Sequence, residues 1–280
     1  MNITIFSVEH GFCAAVDTDD RHTLLIDCGY SFRTGFRPAR YLINNTVRHL
    51  NYLIVPTYTE DHMAGFSDFI NHFLEGYFSI AYLIANPSID TQSLPELIIR
   101  NFGTTKSAGL LNKVSGSFWQ GERSIHLGNL EVSFFWNNYP EFFDFYNLSL
   151  VTFLSYQDIN IIFPGNLKVE GWGALLRKAE FRARLKRVNL FVASNHGQED
   201  GYCPDIFNYC DPDLVIISNQ VHRQLTSSAI RQYKRHARGI GTPWGQPKVL
   251  ATHDVGAITI EQSPGDSLQV TTQPSKVYQY

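Results

Sequence analysis

The chain has 280 residues, 44% hydrophobic and 18% charged, with a net charge of −3. Low charge with ordinary apolar content describes a folded chain with a sizeable core and excludes a disordered one; the lack of a global positive charge excludes binding to nucleic acid through the overall field. The four cysteines, Cys13, Cys28, Cys203 and Cys210, form no CxxC pair, which argues against a zinc knuckle.

Residues 3–8 read as a strand that breaks at Glu9-His10-Gly11 and resumes over 13–17. Asp19-Asp20 marks a turn before the apolar run 23–27, so these two runs form a hairpin. Residues 37–50 have helical character, and 53–55 are a buried strand closed by Pro56. The loop TYTEDHMAG leads into an amphipathic helix over 66–73. A strand over 80–84 and a helix over 94–102 follow, then a hairpin of 124–127 with 130–136. A second hairpin pairs 149–155 with 160–163. Beyond it the pattern is helix 172–186, strands 190–193 and 214–218, and helix 226–237 opened by a Thr/Ser cap. Strands over 249–252, 257–260 and 268–272 close the chain.

No Gly/Ser- or Pro-rich linker interrupts this order, and the two halves share an outline of hairpin, helix, strand, loop and helix. That predicts one α/β domain over 1–280: two sheets face to face with helices outside, a four-layer αββα sandwich. No apolar run is long enough to span a bilayer. The first residues, MNITIFSVEHGF, lack the basic and then apolar order of a secretory signal. A cytoplasmic location without membrane association is therefore expected. Two stretches are locally basic, one holding Arg177, Lys178, Arg182, Arg184, Lys186 and Arg187, the other Arg231, Lys234, Arg235 and Arg238. Each is first a solvated helix face; the stretch 177–187 is also where nucleic acid would bind if it binds.

Three loops carry polar groups directly after an apolar run and beside a glycine that lets the backbone turn. They are Pro56 to Gly65, Phe163-Pro164-Gly165-Asn166, and Ala193-Ser194-Asn195-His196-Gly197. Their order and spacing resemble the metallo-β-lactamase fold superfamily, and most closely the hydrolase domain of ComEC-type competence proteins. Val8-Glu9-His10-Gly11 resembles that group's opening turn, and Leu25-Ile26-Asp27-Cys28-Gly29 its LIDxG strand. Asp61-His62 with Gly65 falls at the end of its HxHxDH motif, and Asn147-Leu148-Ser149-Leu150-Val151 resembles its NxSLV strand. Phe163 to Asn166 sits at its TGD turn, Asn195-His196-Gly197 at its HHGS motif, and Thr252 to Ile258 at its final T…GAI strand.

The resemblance implies two metals held by imidazoles and carboxylates and sharing a hydroxide. Carried over position by position, this chain has Thr57 and Thr59 in place of the two early histidines, and Asn166 in place of the bridging aspartate. A threonine hydroxyl is a poor ligand for a borderline ion, and an amide brings no charge against two cations. The resemblance therefore implies a degenerate site, with Asp61, His62 and His196 left to hold one divalent metal, Zn or Mn, or none. Asp61 and His62 equally suit a loop brace, with Asp61 capping the following helix. His10, His222, His253 and Cys203 alone read as ordinary side chains, His253 being the one whose strand end falls nearest the site in this fold.

Two classes of function follow. One is a non-catalytic binding or regulatory component of a multi-protein system, with a protein partner. The other is a one-metal hydrolase of phosphodiesters, as phosphodiesterase or nuclease. There Asp61, His62 and His196 are ligands, Asp61 and Asn166 serve the chemistry, and Thr57, Thr59, Asn147 and His253 face substrate. Whether the chain is an enzyme at all stays open at this stage.

Overall fold

The computed structural model describes residues 1–8, 11–59, 62, 65–102, 123–218 and 227–274. The first sheet takes β1 (Asn2–Ile5), β2 (Ala14–Asp17), β3 (Thr23–Ile26), β4 (His49–Ile54) and β5 (Ser79–Ile84) from the first half of the chain. The second takes β6 (Ser124–Leu127), β7 (Leu130–Phe135), β8 (Val151–Tyr156), β9 (Ile159–Phe163), β10 (Leu190–Val192), β11 (Leu214–Ile217) and β12 (Val249–Ala251). The chain then returns to the first sheet with β13 (Ala257–Glu261) and β14 (Gln269–Gln273). The orders are β14-β13-β1-β2-β3-β4-β5 and β12-β11-β10-β9-β8-β7-β6. β3, β4 and β5 run parallel, as do β9, β10, β11 and β12. Parallel neighbours need crossovers, and the helices supply them.

Alternation along the strands sorts their side chains into separate cores. Leu24, Ile26 and Ile54 of the first sheet meet Leu154, Phe163 and Ile216 of the second in a middle layer. Leu25, Leu53 and Leu83 point outward, under α1 (Pro38–Asn44), α2 (Phe66–Leu74) and α3 (Ser93–Phe102). Phe153, Ile162 and Phe191 point outward from the second sheet, under α4 (Val169–Leu176), α5 (Ala179–Leu185) and α6 (Ser227–His236). Helix, sheet, sheet, helix is the four-layer sandwich expected. No helix among the described residues is long and apolar enough to cross a membrane.

Several expected boundaries move for local reasons. The helix expected over 37–50 stops at Asn44, where Thr46 turns left-handed (φ 60) and Val47 N–H closes back on Leu42 O at 2.9 Å. The strand expected over 3–8 ends at Ile5. The helix expected over 172–186 is two helices, because Lys178 is extended (φ −82, ψ 122). The break is held by its basic residues: Lys178 Nζ donates to Trp136 O (2.8 Å) and Arg182 to Leu176 O (2.6 Å), while Arg184 pairs with Glu131 on β7. Burial, then nearby Arg123, pushes the Lys178 ammonium pKa down. Much of the basic stretch thus ties the outer layer together.

Candidate metal centre

The carboxyl ends of β3, β4, β9, β10 and β11 meet at one mouth of the sandwich, around a narrow, mostly apolar cleft. His62 enters it from the loop after β4. Gly65, at the start of α2, permits this: a Cβ there would lie 1.8 Å from Cys28 O, so only glycine lets the helix settle against the loop after β3. Asp27 comes from the end of β3 in a left-handed turn (φ 69), its N–H given to Ile54 O at 2.8 Å. Its Oδ1 accepts the Cys28 N–H at 2.7 Å, and its Oδ2 is hydrogen-bonded to His62 Nδ1. Both side chains are buried, 3% and 2% exposed.

His196 comes from a turn of 3-10 helix, Ser194–Gly197, after β10. Asn195 and His196 are both left-handed (φ 47 and 56), a conformation that costs about 1–3 kcal/mol per residue unless the surroundings impose it. Three bonds impose it here: Asn195 N–H to Gly165 O (3.1 Å), Ser194 Oγ to Leu167 O (2.5 Å) and Asn195 Nδ2 to Asp200 Oδ1 (2.6 Å). The Gly165-Asn166 turn is fixed in its own right, since Asn166 N–H donates to Ser149 Oγ at 3.1 Å.

The bonds at the far side of each ring set what faces the cleft. His196 Nδ1 lies 2.8 Å from Ser218 O, a carbonyl that only accepts, so Nδ1 carries the proton. His62 Nδ1 likewise answers the Asp27 carboxylate. In the neutral rings the Nε2 lone pairs are then turned to one another, and these atoms are 3.1 Å apart. Asn166 Oδ1 is 3.1 Å from His62 Nε2, while its Nδ2 donates to Thr59 Oγ1 at 3.1 Å. Two imidazole nitrogens and an amide oxygen therefore converge, and such a point favours a cation or a shared proton. The cavity measures about 20 Å³, room for one water or one small ion. These donors fit one divalent ion and not two. Among the described residues no group of three or more His, Cys, Asp or Glu side chains is placed to hold a metal. Asp61, the expected anionic ligand, lies outside the described residues, as do His10 and His222.

His62, Asn166, His196 and Thr59 are thus brought together. Thr57 is not: it is buried with Oγ1 donating to Phe145 O at 3.0 Å. Asn147 stands apart, its Oδ1 accepting the Lys168 and Gly171 N–H groups (3.3 and 2.9 Å) at the start of α4. His253 is exposed on α7 (Thr252–Val255), outside the cleft lining. Cys203 is buried in the outer core, where desolvation pushes its thiol up. The residues that sequence reasoning left without a role are Asp27 and Ser218. A carboxylate closing a buried strand was the available sign of the first, and no sign marked the second.

No family model matches the chain, and no curated protein matches it in sequence. Solved structures match in fold. Igni18, a metallo hydrolase from the archaeon Ignicoccus hospitalis, is 10% identical with TM-score 0.52, over 94% of this chain and 100% of that one. A diphosphatase of the PhnP family is 9% identical with TM-score 0.50, over 94% and 98%. CmlA, a diiron β-hydroxylase from Streptomyces venezuelae, is 11% identical with TM-score 0.50; the match covers 85% of this chain and half of that protein. At such identity the likeness shows the fold alone, the two-sheet αββα sandwich described above.

Proposed function

We propose that this is a metallo-β-lactamase-fold protein without two-metal hydrolysis, acting as a binding or regulatory component beside a protein partner in the cytoplasm. The observation that carries the reading is the neutral Asn166 amide, in contact with both His62 and Thr59 where two cations would need a bridging carboxylate. Thr57, turned to a backbone carbonyl, adds no ligand. At most one cation is held, by His62 and His196 with Asp61.

A second reading, a one-metal phosphodiester hydrolase, is favoured by the hydrogen bonds at the far side of the two rings. Asp27 fixes the ring of His62 and Ser218 O that of His196, as metal-binding imidazoles require. A bound cation would supply Lewis acidity to an oxygen ligand. The chain's own part would then be to orient that oxygen with Asn166 and Thr59 and to exclude water with Phe12 and Phe163, which line the cleft. Elemental analysis of protein purified without a metal-binding tag tests both. One equivalent or none is expected, and two would overturn both. Turnover of a phosphodiester stimulated by Mn, Zn or Mg and abolished in His196→Ala would replace the first reading by the second.

A further inference from the structure

The parallel strands β10, β11 and β12 are in register, Val192 beside Ile216 and Ile217 beside Ala251. Continuing that register past the strand ends sets Ser194, Ser218 and Thr252 side by side. Alternation gives their face: Leu190, Val192, Leu214, Ile216 and Leu250 belong to the middle core, so the next inward positions are these three hydroxyls. Ser194 is satisfied by Leu167 O. Ser218 and Thr252 are not: they are 2% and 0% exposed, and neither hydroxyl has a hydrogen-bond partner among the described residues. A buried hydroxyl left unpaired is unfavourable, and native chains pair nearly all of them. Ser218 lines the cleft beside His196, and ligands of open α/β sheets bind beyond the carboxyl ends of parallel strands.

We propose that Ser218 and Thr252 form a hydroxyl ledge that binds an oxygen atom of a small ligand, with Ser218 the residue facing the cleft. Water and an oxyanion oxygen share this chemistry. The only charged described side chain of the lining besides its histidines is the Asp27 carboxylate, which repels anions. An oxyanion would therefore enter with a cation, and that arm rests on the one-cation reading above.

The test compares the wild-type chain with Ser218→Ala and the near-isosteric Thr252→Val by thermal unfolding. In chelator, the variants are expected to melt about 2–4 °C below wild type, having lost partners of a held oxygen. Midpoints equal to or above wild type mean that the hydroxyls are truly unpaired and overturn the ledge. With MnCl2 alone, Thr252→Val, which leaves Ser218 and its bond to His196 in place, is expected to bind the ion within about twofold of wild type, a difference well under 1 kcal/mol. With MnCl2 and inorganic phosphate, the further gain in midpoint of Ser218→Ala is expected to be less than half the wild-type gain. An equal gain overturns the oxyanion as source and leaves water. A wild type that ignores MnCl2 overturns the one-cation reading, while the chelator arm still decides the ledge.

Discussion

The His62 ring is held by the Asp27 carboxylate of the cleft lining. Asp27 accepts from Nδ1 and so presents Nε2 as a lone pair. An amide in its place keeps the shape, and asparagine tolerates the left-handed turn at this position (φ 69) nearly as well. What it loses is the charge, and with it the preference for the Nδ1–H tautomer. Asp27→Asn is therefore expected to fold while binding Zn or Mn about 10–100-fold more weakly in a competition titration. Unchanged affinity would show that the pair is a buried brace and nothing more. The sequence pattern marked three loops that follow buried strands and carry glycines, and the family resemblance singled out His62, Asn166 and His196 within them. The sequence could not separate Thr57 from Thr59, two residues apart in an irregular loop: one meets Phe145 O and the other Asn166. Nor could it see that the Asn147 amide is taken up by the N–H groups of α4, because that contact crosses 24 residues.

At the level of elements, strand, loop and helix were legible wherever apolar periodicity was strong. The joints between elements were not, because contacts distant in sequence decide them. The approach of α2 to the loop after β3 is such a joint. In Gly65→Ala the new methyl meets the Cys28 carbonyl and must push the helix start away, taking His62 with it. A loss of about 1–3 kcal/mol in urea unfolding is expected, together with weaker cation binding. Wild-type stability would mean that the joint yields freely. The break between α4 and α5 is another, tied to β7 through Arg184 and Glu131. The Arg184 hydrogen bonds, followed by its charge, hold the Glu131 carboxyl below its ordinary 4.5. A carboxyl with a lowered folded-state pKa stabilises the fold above its unfolded value and loses that contribution as pH falls through the folded value. Arg184→Met is thus expected to cost about 0.5–1 kcal/mol at neutral pH, the pair being only partly exposed. The gap between the two proteins should close well below pH 4.5 in parallel denaturant titrations. A gap that persists in acid would assign the loss to packing of the arginine stem instead.

Across the whole molecule, the layering was readable because each half repeats hairpins followed by crossovers, and such halves bury their apolar faces only against each other. The consequence for the site appears only in three dimensions. His62 and Asp27 belong to the first sheet, and Asn166 and His196 to the second, so the His62–His196 contact closes across the middle core. A cation held there joins the two sheets, and its binding energy becomes resistance to separating them. At a hundredfold excess over Kd such a ligand adds about 2.7 kcal/mol, and for a chain of this size each kcal/mol raises the midpoint by about 2–4 °C. Hydrogen exchange locates the effect. With the cation, protection should rise together at the carboxyl ends of β3 and β4 and of β9, β10 and β11. Protection confined to one sheet would mean that the ion sits on one half alone, and the histidine pair would then not be its site.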